Sequence, residues 1–320
     1  MTTPEKFIQL AIVIALFIGV MTALLVLTSK TQSRRGELFQ SLAFVLPAVL
    51  MIALGLLYPA IRTIIQSFQD TASINFVGLE NYKTVFTSDD QILVLRNTAV
   101  WVILTPIAAT FIGLIYAILI DRSRFEKFAK ALIFLPMAIS LVGASVIWRF
   151  VYDYRAAEQT QIGLLNQILK TLGMDTYRFL LEPPWNTVFL VVILIWVQAG
   201  FAMTILSAAI KAIPDDMLEA ARLDGVSGLK MFRYITVPSI RPSLIVVLTT
   251  ISITTLKVFD IVRTATGGQF DTSVVAYEFY VQSFRSFNNG LGAALATLLF
   301  ILVMPIVIYN VRQLRKVEAR

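Results

Sequence analysis

Apolar and polar positions alternate along the chain in long blocks. Seven apolar runs stand out: Phe7–Thr28, Leu42–Ile61, Thr98–Ile120, Leu132–Tyr152, Thr187–Ile210, Ser243–Val262 and Gly290–Val311. Each has about 20 residues or more, the length a helix needs to cross a bilayer core. The pattern predicts an all-α integral membrane protein of about seven transmembrane helices. The first run is too long for a signal peptide, has only Lys6 before it and shows no small-x-small cleavage site before Lys30. It reads as a retained helix. With a cytoplasmic linker it fills residues 1–40, and one membrane domain fills 41–320.

The polar stretch from Ile213 to Pro242 is not patterned as a plain turn. Pro214 suits a first helical residue, where a missing N–H costs nothing. Asp215 and Asp216 set negative charge on the positive end of the helix dipole. Helix formers run from Met217 to Leu223, and Gly225 is placed to take the left-handed conformation that ends a helix. Ser227 is placed to cap a second short helix, and Pro238 and Pro242 close the segment. Two short helices with a bend at Gly225, held between two spans, form an ordered surface for docking. The plainer alternative is an amphipathic helix lying in the interface.

Composition narrows the class. Hydrophobic residues make up 57% of the 320 and charged residues 15%, too apolar for a soluble domain of this size. The absence of Cys and His excludes disulfides, thiolate metal sites, and histidine ligands or bases. The net charge of +7 is distributed as membrane topology requires and gives no reason to invoke nucleic acid. Segments 29–40, 121–131, 211–241 and 312–320 hold 16 Lys and Arg in 63 residues. The alternate set, 1–6, 62–97, 153–186 and 263–288, holds 9 in 102. The denser set is cytoplasmic. That puts the N-terminus outside, and the C-terminus and the 213–242 segment inside.

Candidate chemistry is sparse. No G-x-x-x-x-G-K-[ST] motif is present, so ATP hydrolysis, if it drives this protein, belongs to another subunit. Glu219 offers a carboxylate to a basic partner, with Arg222 three residues on as an alternative intrahelical partner. Ala220 and Ala221 are small enough for close approach, and Gly225 serves the bend. In the sixth run Thr250, Thr254 and Lys257 share one helical face. A sugar needs many modest donors and acceptors and an aromatic plane; Gln198 and Phe201 in the fifth run add an amide and a ring. The alternative is that the threonines bond their own helix and help spans pack. Lys257 and Asp260 sit three apart and are spaced to pair, and Arg149 is placed to snorkel to the headgroups.

Several of these stretches resemble one family. Glu219-Ala220-Ala221, then Gly225, then Ile235-x-Val237-Pro238 resembles the EAA loop of ABC-importer permeases, with Val237 where Leu is usual. Gly78-Leu79-x-Asn81-Tyr82 and the block from Thr266-Gly267-Gly268 through Thr272 to Tyr280 and Phe284 resemble carbohydrate permeases of the maltose type. Asn310-Val311-Arg312, Arg315 and Glu318-Ala319 look like the α-glucoside branch. The resemblance implies a type I ABC importer core with cytoplasmic coupling helices in a bacterial cytoplasmic membrane. It implies docking roles for Glu219, Ala220, Ala221 and Gly225. It also implies a second permease subunit, a cytoplasmic ATPase dimer that binds the ATP and Mg, and an extracytoplasmic sugar-binding protein. No cofactor is expected in this chain. The outer segments either receive the binding protein or pack between spans. A permease for glycerol-phosphate or a polyol is the alternative, and an ion-coupled secondary transporter lies further off.

Overall fold

The structure, a computed structural model, describes residues 12, 15, 18–20, 22, 34–121, 124–156 and 158–318. It divides into two compact units, Met1–Thr63 and Ile64–Arg320. The first carries α1 (Arg34–Ile52), continued through a π turn (Ala53–Leu57) into α2 (Tyr58–Gln66), which runs over the boundary. The second carries α3 (Glu80–Thr87), α4 (Asp89–Ile120), α5 (Glu126–Phe134), α6 (Leu141–Val151), α7 (Leu164–Thr171), α8 (Trp185–Lys211), α9 (Asp215–Leu223), α10 (Gly228–Met231), α11 (Val237–Leu256), α12 (Asp260–Ala265), α13 (Val275–Phe284) and α14 (Asn289–Glu318).

Among the described residues five helices are long and apolar enough to cross a membrane: Phe44–Gln66, Asp89–Ile120, Trp185–Lys211, Gly228–Leu256 and Asn289–Gln313. A sixth is counted if the bent pair Glu126–Ala138 and Leu141–Val151 is one span. The expected first span, Phe7–Thr28, lies for the most part outside the described residues. The fold is thus all-α and multi-pass with five or six candidate spans.

Helix α4 shows how the spans pack. Trp101, Thr105, Ala109, Gly113 and Ala117 recur every fourth residue and are buried, while Ile103, Ile107, Phe111 and Leu119 are exposed. Apart from Trp101, the inward residues named are small or polar and the outward ones large and apolar, as a lipid-facing helix requires. The inward seam lies on α8. A Cβ on Gly113 would come within 2.5 Å of the Ala202 Cβ and 2.7 Å of the Met203 nitrogen. On another side of α8, a Cβ on Gly200 would meet the Ile133 carbonyl oxygen at 2.4 Å. Ala109, Ala117, Ala202, Met203, Leu206, Ile213, Ile240, Val247 and Ile251 close into one core joining α4, α8 and α11.

Two expected spans are not continuous. The fourth, Leu132–Tyr152, bends by 103° between α5 and α6. The chain tightens into a 3-10 turn at Leu135–Ala138, extends at Ile139, and restarts as α6 when Ser140 Oγ accepts the Gly143 N–H at 3.1 Å. The sixth, Ser243–Val262, stops at Leu256; Lys257 leaves helical geometry, and α12 begins at Asp260.

The non-helical turns around Phe270 and Ser67 are held by side-chain amides and hydroxyls. Asn97 Nδ2 donates to the carbonyls of Asp271 (2.6 Å) and Ser273 (3.0 Å), and Asn186 Nδ2 to that of Phe270 (2.6 Å). Thr98 Oγ1 accepts the Val275 N–H at 2.9 Å. Gly267, Gly268, Phe270 and Asp271 all have positive φ there, and a Cβ on Gly268 would enter the Tyr277 ring. Asn81 Nδ2 donates to the carbonyls of Ser67 and Gln69, and the Tyr82 and Ser67 hydroxyls bond at 2.7 Å. The short helix α7 is followed by Gly173 at φ +74.

Replacing Gly113 by Leu is expected to destabilise the chain by about 1–3 kcal/mol through overpacking against α8. Gly55→Ala, where a Cβ meets nothing within 4 Å, is expected to stabilise it slightly. Thermal melts of the detergent-solubilised variants check both.

Candidate functional site

The segment expected to dock a partner starts where α8 ends. Ile213 is buried in the core shared by α4, α8 and α11, so it ties the segment to the body. Pro214 is the residue before the helix, with ψ 135, and α9 begins at Asp215. This corrects the expected register by one position. The fixed φ of Pro214 is kept, but its extended ψ turns the chain out of α8 first. Asp215 and Asp216 occupy the first turn, as the dipole favours.

Helix α9 has two faces. Leu218 packs on the core and Ala221 is buried. Glu219 and Ala220 are exposed, and Leu223 is 90% exposed. Ala221 is therefore small because it lies against this chain's own body, and Ala220 is the alanine left to face outward. No ion pair joins Glu219 to Arg222. The helix ends in a Schellman motif. Val226 N–H bonds the Ala221 carbonyl at 2.9 Å, Gly225 N–H bonds that of Arg222 at 3.0 Å, and Gly225 sits at φ +78. Ser227 precedes α10, but its hydroxyl makes no cap bond. Leu229 is 78% exposed. A π turn (Phe232–Thr236) then leads into α11, which runs through Pro238 and Pro242, so the prolines begin the helix rather than close the segment.

A charged cluster stands behind this segment. Lys130 Nζ reaches Asp121 Oδ1 at 2.5 Å and Glu126 Oε1 at 3.0 Å, and Lys211 Nζ bonds Glu126. Ser207 Oγ donates to Asp121 Oδ1 at 2.5 Å. The end of α4, the start of α5 and the end of α8 are thereby fastened together. Sequence reasoning counted these residues only as charge.

The second candidate region is the face of α11. Thr250 and Thr254 are half-buried, and Thr254 Oγ1 donates to the Thr250 carbonyl. Thr249, Ser252 and Thr255 likewise bond the preceding turn. Asn310 of α14 donates to Thr249 Oγ1 at 2.9 Å. Gln198 and Phe201 are half-buried on α8, which packs against α11. Lys257 is exposed beyond the end of α11, and Asp260 opens α12, so the two do not share a helical face and make no ion pair. Arg149 Nη1 is bonded to the Thr264 carbonyl at 3.3 Å instead of reaching freely outward. Beyond Lys257, Phe259, Tyr277 and Tyr280 form a ring cluster, with the Arg263 guanidinium 4.8 Å from the Tyr280 centroid. Phe259 and Arg263 escaped the sequence reading. A ring and a cation on either side of a helix break were the available signal. Among the described residues no group of three His, Cys, Asp or Glu is placed to hold a metal.

Residues 96–316 match the family of the binding-protein-dependent transport system inner membrane component. The chain belongs to this family. It is an ABC-type permease subunit, a transport component and not an enzyme. The permease is 46% identical over 275 residues to an osmoprotective-compound uptake permease of Synechocystis, covering 86% of this chain and 99% of that one. It is 47% identical over 270 residues to an alpha-glucoside permease of Rhizobium meliloti, covering 84% and 80%. A trehalose/maltose permease of Thermococcus litoralis is 30% identical, covering 88% and 95%. Among solved structures, a bacterial alginate ABC transporter shares the fold, with TM-score 0.74 and 22% identity over 88% of this chain and 99% of that one.

The two faces of α9 predict different outcomes for neighbouring alanines. Ala221→Leu is expected to lower the stability of the isolated chain by about 1–3 kcal/mol, and Ala220→Leu to leave it unchanged. Paired thermal melts read the difference.

Proposed function

We propose that this permease carries a carbohydrate, an α-glucoside or a related di- or oligosaccharide, across a bacterial cytoplasmic membrane. ATP hydrolysis by a separate ATPase dimer drives it. The observation that carries the coupling is the outer face of α9. An ordered helix presents a carboxylate with no ion pair among the described residues, a small residue and a nearly fully exposed leucine between two spans. Exposed apolar side chains ringed by charge are what a partner cleft covers. Glu219 pairs with a basic residue of the ATPase, Ala220 lets the surfaces meet closely, Ala221 seats the helix on the body, and Gly225 ends it. The sugar reading is supported by similarity to permeases named for alpha-glucosides and for trehalose and maltose. A polyol-like solute is the second reading, favoured by similarity to the osmoprotective-compound permease.

In this reading the chain works beside a second permease subunit and receives sugar from an extracytoplasmic binding protein. ATP closes the ATPase dimer, α9 moves with it, and the spans rock about a central site, one state favoured over the other by nucleotide. Gln198, Phe201, Thr250, Thr254 and Lys257 line the sugar path. The Thr254 hydroxyl spends its proton on the Thr250 carbonyl, which leaves its lone pairs free to accept from a sugar. Residues 1–40 form a first helix and linker outside the 41–320 core, with the N-terminus outside and the C-terminus cytoplasmic.

Copurification from mild detergent is expected to recover an ATPase and a second permease with the wild-type chain. Glu219→Lys is expected to lose the ATPase alone; recovery of the chain by itself would overturn the coupling. Lys257→Ala and Gln198→Ala are each expected to weaken uptake by about tenfold, a loss on the scale of one or two hydrogen bonds to a sugar. Unchanged uptake in both would remove them from the path. As the chain has no native Cys, Ser227→Cys is expected to react with an impermeant maleimide only from the cytoplasmic side.

A further inference from the structure

A cavity of about 480 Å³ lies between the docking segment and the body. Its walls include Ile118 and Asp121 at the end of α4, Arg222 on α9, and Val226 in the turn that follows. Asp121 is an unusual residue for its place. A carboxylate at a helix C-terminus opposes the helix dipole, so it is not there to stabilise α4. Its Oδ1 collects all the donors, Lys130 and Ser207. Its Oδ2 is buried and has no hydrogen-bond partner among the described residues. Facing the same cavity, the Arg222 side chain makes no ion pair with any described residue. Asp121, whose Oδ2 is buried and unsatisfied, and Arg222, whose guanidinium makes no ion pair among the described residues, thus line one cavity. A fork of N–H donors is the group best matched to the missing bond.

We infer that Asp121 is a positioning residue for coupling, the seat into which Arg222 docks when the ATPase moves α9. The inference rests on the proposed ATP-driven function. In the arrangement described here the cavity is open and the pair is apart. When the ATPase dimer closes, α9 swings about the left-handed turn at Gly225, and the guanidinium enters the cavity and donates to Oδ2. Asp121 is already fastened to Lys130 and Ser207, so movement of α9 then pulls on the ends of α4 and α8 together. Glu219 grips the ATPase on the outer face of the helix; Arg222 passes the displacement inward.

The test uses the assembled transporter in proteoliposomes, with sugar uptake and ATP hydrolysis measured side by side. Asp121→Asn keeps an Oδ1 acceptor for Lys130 and Ser207 but offers a donor where Oδ2 stood. It is expected to cut sugar moved per ATP by about tenfold while assembly and hydrolysis persist. Arg222→Gln is expected to do the same, Arg222→Lys to restore part of the loss, and the double variant to be no worse than either single one. Crosslinking between Ile118→Cys and Val226→Cys is expected to rise on nucleotide trapping and to stop responding when Asp121→Asn is added. Losses that multiply in the double variant, or an Asp121→Asn transporter with normal sugar per ATP, would overturn the inference and leave the function intact. A wild-type assembly whose ATP hydrolysis ignores sugar would instead sink the function itself.

Discussion

Helix α8 meets α4 at Gly113 and the end of α5 at Gly200 more closely than any side chain at those glycines would allow. Within a bilayer there is no water to drive helices together, so close van der Waals approach is what holds the bundle. Everything else hangs from this contact. The α4 seam of Thr105, Ala109 and Ala117 is small because α8 lies on it. The end of α8 is then fixed in space, Ile213 is anchored beside it, and α9 can be presented at a defined angle. A docking helix on a soft stem would absorb motion; one rooted in a close-packed pair transmits it.

A second constraint shapes the turns between the helices. Backbone groups that leave helical pairing near a membrane must find partners within the protein. The turns around Phe270, Asp271 and Ser273 meet that demand through Asn97 and Asn186, and the turn after α2 through Asn81. Conserving space at these turns is also why Gly268 has no side chain beneath the Tyr277 ring. The motifs that mark the family resemblance in these turns are thus joints of the backbone, with the aromatic cluster of Phe259, Tyr277 and Tyr280 standing over them.

Much of this was legible in the residue order, and the rest was not, for identifiable reasons. Apolar runs located the long helices because burial in lipid acts on every residue of a span. The 213–242 segment was legible because polar chain must state its own caps and stops: the paired aspartates and Gly225 reappear in the geometry, whereas Ala221, expected to face a partner, is buried against the body. The breaks in the fourth and sixth runs were hidden because apolar character continues through them. Ser140 is a good cap, but within an apolar run it reads as one more small residue. At Lys257 no Pro or Gly marks the end of α11. The partners of Asn97 and Asn186 lie 174 and 84 residues further along, beyond the reach of any local pattern. The orphaned oxygen of Asp121 is a property of three dimensions alone.

The exposed leucines of the docking segment carry a further consequence for the life of the chain in the cell. Leu223 and Leu229 stand 90% and 78% exposed, and in the proposed assembly the ATPase covers them. On that reading a copy made in excess of its partners displays the kind of apolar surface by which chaperones and membrane proteases recognise unfinished molecules. The face proposed for coupling would then also mark a copy whose partners have not arrived.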